Sequence, residues 1–179
     1  MSLNHIKDAI PDFARDIRLN VDSVLQESGA PGLNTQQIFL IALAAAHASR
    51  NRVFTRAMEA IAAAHLDAAH ITAAYAAASV MAMNNIYYRF VHLVENVEYG
   101  KLPARLRMNV MANPGIDKID FELASLAVSA INGCGMCMAS HEKTLVKHAV
   151  SSEAIHSTAR IASVIHAAAV VLEQADWQG

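Results

Sequence analysis

Apolar residues recur at helical spacing almost throughout this chain, and strand-like alternation is nearly absent. The side chains that do so are mostly small: 54 % of the 179 residues are hydrophobic, yet only 6 % are aromatic. Alanine with isoleucine, leucine and valine lets helices approach one another closely. The chain is therefore expected to fold as a compact all-α domain. Its length suits a single domain, or two small repeats fused around one core.

Two clusters punctuate the helical pattern, Ser28-Gly29-Ala30-Pro31-Gly32 and Asn113-Pro114-Gly115. Between and around them the spacing predicts helices over about 11–26, 35–49, 52–65, 68–84, 86–99, 117–132, 134–148 and 151–174. The first carries an apolar stripe of Phe13, Ile17, Val21, Val24 and Leu25. The last is expected to be capped by Ser151, with Ala154 at its third position. A faint repeat at an offset of 84 residues pairs Ile71, Ala78, Ser79 and Val80 with Ile155, Ala162, Ser163 and Val164. Residues 1–179 thus read as one helical domain of two related halves. The first, about 35–100, is a degenerate scaffold copy, and the second, about 117–174, carries the chemistry. In that register Arg50, Val53, Ala57 and Ile38 stand where Cys134, Cys137, His141 and Glu122 stand in the second half.

The formal net charge is −2 and the basic residues are scattered, which argues against a nucleic-acid footprint. No secretory pattern opens the chain, and the longest apolar stretches are interrupted by His65, Asp67 and His70 or by Arg160 and His166. A cytoplasmic location and no membrane partner are the expectation. In such a compartment a CxxC pair is catalytic or metal-binding, not a structural disulfide. No glycine-rich phosphate loop or nucleotide fingerprint is visible, so no bound nicotinamide or flavin cofactor is expected.

The chemistry concentrates in Cys134-Gly135-Met136-Cys137, which holds the only two cysteines. With Gly133 ending one helix and Cys134 opening the next, Cys134, Cys137 and His141 share a helical face. A thiol in a helix's first turn feels the positive end of the macrodipole, which favours thiolate. Residues three apart on a helix also place their Cα atoms within the ~4.4–6.8 Å that a disulfide requires. Glu122 lies 12 residues before Cys134 on the preceding predicted helix. A hairpin at Asn132-Gly133 brings it beside His141, about one turn from Cys137. The implied relay is Cys137–His141–Glu122: the carboxylate orients the imidazole, and the imidazole takes the thiol proton. Cys137, four residues from His141, is the attacking sulfur, and Cys134 closes the disulfide on it. A peroxide would convert Cys137 to a sulfenic acid that Cys134 resolves. A disulfide partner would drive thiol–disulfide exchange through the same pair. Geometry alone does not choose between the two.

The pattern Glu122-x11-Cys134-x2-Cys137-x3-His141 closely resembles the AhpD-type alkylhydroperoxide reductases of the carboxymuconolactone decarboxylase-like superfamily. Three further stretches are similar: Met81 to Arg89, Leu106 to Asn109 with Asn113-Pro114-Gly115, and Ile6 to Asn20. The resemblance implies an all-helical fold assembled as a homotrimer. It implies an antioxidant enzyme that reduces alkyl hydroperoxides and also relays electrons from the lipoyl domain of a 2-oxoacid dehydrogenase complex, as dihydrolipoamide, to a peroxiredoxin. By motif, Cys137 is the peroxide-attacking residue, Cys134 its proton-donating and resolving partner, and Glu122 with His141 the proton relay. Met136 departs from the family, since well-known members place a histidine before the second cysteine. Methionine transfers no protons, so any auxiliary relay through that position is absent.

Other readings of the same residues are a decarboxylating lyase of the superfamily, or a non-enzymatic zinc-binding or assembly module. Zinc wants four ligands, and His141 with Glu122 or His148 would have to complete the pair. Met81, Met83, Met108 and Met111 read as core filler. Tyr87, Tyr88, Arg89 and His92 read as packing or a subunit contact ahead of a substrate route.

Overall fold

The computed structural model describes residues 2–179, and every regular element among them is helical. The helices are α1 (Leu3–Ala9), α2 (Arg15–Val24), α3 (Thr35–Ser49), α4 (Arg52–Ala62), α5 (Ala68–Leu93), α6 (Val97–Lys101), α7 (Lys118–Ile131), α8 (Gly135–Lys147) and α9 (Ser152–Gln174). Their starts follow side-chain capping. Asn34 and Gln37 form a reciprocal capping box on α3, and Asn51, Asp67 and Ser151 each accept a backbone N–H at the start of α4, α5 and α9. Ser151 caps through Ala154, as the sequence predicts.

Helices α3 and α7 form the centre. Residues 38–46 of α3 and 121–129 of α7 are buried without interruption, so both helices are sheathed on all sides. They pack on each other and on α5 and α9, while α4 leans on α3 and α8 on α7. Alanines make the closeness possible: Ala42, Ala44, Ala45 and Ala46 of α3 and Ala124 and Ala127 of α7 are wholly buried. Helix α9 is long and apolar enough by composition to cross a membrane. Here it is a core helix, burying Ile161, Ile165, Ala168 and Leu172 against α3 and α7.

Two expectations change. The chain opens with an additional helix, α1, whose Ile6 is buried, and α2 starts only at Arg15 after a short 3₁₀ turn over Asp12–Ala14. That tighter turn breaks the phase of the apolar stripe, leaving Phe13 74 % exposed while Val21 and Val24 remain buried. The helices expected over 68–84 and 86–99 are one 26-residue helix, α5, followed by the short α6. Asn85 does not break α5 because its amide is engaged elsewhere. It donates to Ser129 Oγ at 2.9 Å and accepts from Asn132 Nδ2 at 2.9 Å, so it does not compete for its own backbone.

Gly133 makes the turn from α7 into α8, with φ +68° directly after the C-cap Asn132. A Cβ there would meet nothing closer than Arg89 Nη1 at 3.9 Å, so the requirement is conformational and not steric crowding. Gly133→Ala is expected to cost about 1 kcal/mol and to lower Tm by about 2–4 °C, read by thermal unfolding. An unchanged Tm would show that the turn tolerates a side chain.

Candidate active site

Gly133 delivers Cys134 to the N-cap of α8, not to its first turn. Cys134 Sγ accepts the Cys137 backbone N–H at 3.3 Å, the place an N-cap oxygen usually holds. The two sulfurs are joined as a disulfide, with Cα atoms 5.3 Å apart. The pair is asymmetric. Cys134 is wholly inaccessible, whereas Cys137 is 7 % exposed and lines a cavity of about 330 Å³.

His141, one turn beyond Cys137, donates from Nδ1 to Glu122 Oε2 of α7 at 2.6 Å. Both side chains are buried, so water screens the contact little. The carboxylate only accepts, which puts the Nδ1 proton between the two groups. The helical hairpin thus brings Glu122 to His141 as the spacing predicts. The link from His141 to Cys137 differs. With the disulfide closed, no hydrogen bond joins these two described residues. His141 Nε2 faces Met81 Sδ of α5 at 3.4 Å instead.

Met81 is more than core filler. Its sulfur also receives Ser129 Oγ at 3.5 Å, and Ser129 accepts from Asn85. Asn132 closes the circuit by donating to Asn85, while Arg89 Nη1 donates to the Asn132 carbonyl at 2.6 Å. These contacts bolt the α7–α8 hairpin to α5. Arg89 is therefore a clamp on the turn, and its neighbour Tyr88 lines the cavity. Met108, Met111 and Met136 line it too, together with Asn84, which the sequence reading passed over. The run from Met81 to Arg89 held the available signal, because residues 81, 84 and 88 recur at helical spacing on one face. Among the described residues, no three of histidine, cysteine, aspartate and glutamate converge to hold a metal ion.

An all-helical domain with a CxxC disulfide at a helix N-terminus, beside a buried His–Glu pair, defines a class of dithiol proteins. Residues 98–177 match the carboxymuconolactone decarboxylase family. The alkyl hydroperoxide reductase AhpD of Brucella abortus is 54 % identical over 178 residues, covering 99 % of this chain and 100 % of that protein. The proteins of the same name from a Bradyrhizobium species and from Rhodospirillum centenum are 53 % and 54 % identical. They cover 98 % and 97 % of this chain, and 95 % and 91 % of their own lengths. The chain belongs to the AhpD family of alkyl hydroperoxide reductases.

Removing one member of the buried pair strands the other. Glu122→Leu leaves an imidazole N–H without its acceptor, an expected loss of about 1–3 kcal/mol. His141→Leu leaves a buried carboxylate unpaired, an expected loss of about 3–5 kcal/mol. Urea unfolding of the two single variants and the double variant should return a coupling of about 0.5–3 kcal/mol. Additive losses would mean that the contact contributes nothing to the fold.

Proposed function

We propose that this protein reduces alkyl hydroperoxides through a Cys134/Cys137 dithiol–disulfide cycle. The observation that carries the reading is the cysteine disulfide and the Glu122–His141 pair meeting at one cavity on α8. In the reduced protein, Cys137 is the attacking thiolate. Its sulfur takes the terminal hydroperoxide oxygen, the O–O bond breaks, and the alkoxide leaves as alcohol with a proton from His141. Cys137 is then a sulfenic acid, oxidised by two electrons. Cys134 attacks its sulfur, expels the hydroxyl as water, and forms the disulfide. Glu122 holds the imidazole in register for both proton transfers.

The reductant closes the cycle. A dithiol can reach Cys137 but not the inaccessible Cys134, so its thiolate attacks Cys137 Sγ and releases Cys134. The departing thiolate sits at the N-cap of α8, where the Cys137 N–H and the helix dipole favour its charge. The second thiol of the reductant then displaces Cys137, leaving the donor as a disulfide. Dihydrolipoamide on a lipoyl domain is the proposed donor, and relay onward to a peroxiredoxin is the proposed second outlet. Family membership supports both. No nucleic-acid or membrane partner is invoked, and the proposed setting is the cytoplasm.

The proposed assembly is a homotrimer, supported by an unpartnered apolar ribbon. Ile86, Phe90 and Leu93 on the second half of α5 are 62 %, 47 % and 67 % exposed, and Val97 and Leu102 beyond it are 73 % and 60 % exposed. Faces of this kind mark contacts between subunits. Light scattering should return three times the chain mass for the native protein, and a smaller species for Phe90→Glu. A monomeric native protein would rule the assembly out.

The deciding assay is organic-hydroperoxide consumption driven by dihydrolipoamide. The native protein should turn over. Cys137→Ser should lose activity, and Cys134→Ser should stall as a trapped sulfenic acid or mixed disulfide. Full activity in the double cysteine variant toward a lactone acid, with none toward hydroperoxide, would favour a lyase instead.

A further inference from the structure

Met81 is buried, 1 % exposed, yet its thioether collects polar contacts. Ser129 Oγ reaches the sulfur at 3.5 Å and His141 Nε2 reaches it at 3.4 Å. The serine contact is not the usual one for a helix. Ser49, Ser79 and Ser163 return their hydroxyls to the carbonyl four residues back. Ser129 instead accepts from Asn85 Nδ2 at 2.9 Å and gives its own hydrogen to the sulfur. Asn85 is held in turn by Asn132. A chain of donors therefore ends on Met81 and fixes where its sulfur sits. The second contact bears on His141. Nδ1 faces Glu122 Oε2 at 2.6 Å, and Nε2 faces the sulfur. A carboxylate and a thioether are both acceptors, so each ring nitrogen meets a group that calls for a hydrogen between them.

We propose that Met81 is a positioning residue whose sulfur keeps a second proton on the Glu122–His141 pair, at Nε2, throughout the disulfide form. One proton lies between Glu122 Oε2 and Nδ1, and the other points at Met81. A thioether suits this task because it accepts a hydrogen bond but does not take the proton away. The use of that proton rests on the peroxidase reading above and deepens it, whereas its place on Nε2 does not depend on that reading. In the cycle His141 gives the Nε2 proton to the departing alkoxide, and the Cys134 thiol hydrogen leaves in water. The pair is then one proton short and takes it from solvent. Oxidation balances as reduced protein, ROOH and H⁺ giving disulfide protein, ROH and H₂O. Reduction by a dithiol returns one proton to solvent, because Cys134 needs only one of the two thiol hydrogens and Cys137 leaves as thiolate. The site thus meets its next hydroperoxide already holding its acid. Besides Glu122 of α7, the groups near the ring that exchange protons are Tyr88 of α5, which lines the same cavity, and Cys137 of α8 once the disulfide opens.

The test compares native protein, Met81→Leu and Ser129→Ala, each in the disulfide form. Long-range proton–nitrogen NMR spectra of the imidazoles are recorded at about pH 7.5, above the ordinary histidine pKa of ~6.5. Among the nine histidines, His141 is the signal that His141→Gln lacks. Native Nε2 is expected to show the shift of a protonated nitrogen. Met81→Leu keeps the apolar volume and removes the acceptor, and its Nε2 is expected to move to the shift of a bare nitrogen. Ser129→Ala keeps the thioether, withdraws the hydroxyl that fixes it, and should move the signal the same way by less. A bare Nε2 in the native protein overturns the proposal, and so does a native signal in both variants. A second measurement follows proton uptake, with an indicator dye in weak buffer, as cumene hydroperoxide oxidises the reduced protein once. The native protein should take up about one proton per disulfide formed, and Met81→Leu none. No uptake by a native protein that the peroxide does oxidise overturns the proton store. A native protein that the peroxide leaves reduced overturns the peroxidase reading alone, because the nitrogen signal still decides where the proton sits.

Discussion

The turn between α7 and α8 is the constraint on which the site depends. Gly133 reverses the chain in a left-handed conformation, and the next residue is already the N-cap of α8. Two consequences follow from this economy. Cys134 is placed where backbone N–H groups converge, so its sulfur has an electrostatic reason to be a good leaving group. The same reversal lays α8 antiparallel along α7, which carries His141 back to Glu122 nineteen residues earlier in the chain. The turn is held from outside by Arg89, Asn85 and Ser129, so the reactive dithiol stands on a rigid mount built by three helices.

Burial sorts the two cysteines into different tasks. Cys134, sealed from solvent, can act only on its neighbour, while Cys137 meets whatever enters the cavity. A redox couple gains from this division. In the proposed cycle the open sulfur handles peroxide and donor in turn, and the sealed one is shielded from over-oxidation and off-target exchange. In the disulfide form His141 is turned to the thioether of Met81, a weak acceptor, and not to sulfur of the disulfide. In the proposed cycle that contact gives the imidazole a place to rest between proton transfers. Met136, 46 % exposed at the rim of the cavity, adds apolar surface there and no proton route.

The central helices explain why so polar an arrangement survives inside an alanine-rich core. Glu122, Ser125 and Ser129 lie along one strip of α7, from which Glu122 meets α8 and Ser129 meets α5. Most of that strip is partnered: Glu122 by His141, and Ser129 by Asn85 and Met81. The remaining faces of α7 are apolar and seal the strip from water. The buried Glu122–His141 contact is in this way both protected and satisfied, the condition under which buried polar groups are tolerated.

Much of this was legible in the sequence, where the determinants are local. Helix periodicity, the capping residues Asn34 and Ser151, the glycine at 133 and the spacing of Glu122, Cys134, Cys137 and His141 act over one or two turns of helix. A hairpin of known turn position makes the Glu122–His141 contact a matter of counting. What the sequence did not disclose depends on partners far away along the chain. Asn84-Asn85 reads as a helix break, because asparagine favours caps and turns. Ser129 and Asn132, more than forty residues on, keep α5 continuous. Met81 reads as filler until the fold sets it against His141, sixty residues later. Phe13 fits the apolar stripe of a helix, but a 3₁₀ turn shifts its phase toward solvent. The sequence by itself determined the helical class, the turn and which residues gather beside it. Only the tertiary structure decided which sulfur is open and what the imidazole faces, because burial and hydrogen bonding across helices belong to the packed chain and not to any segment of it.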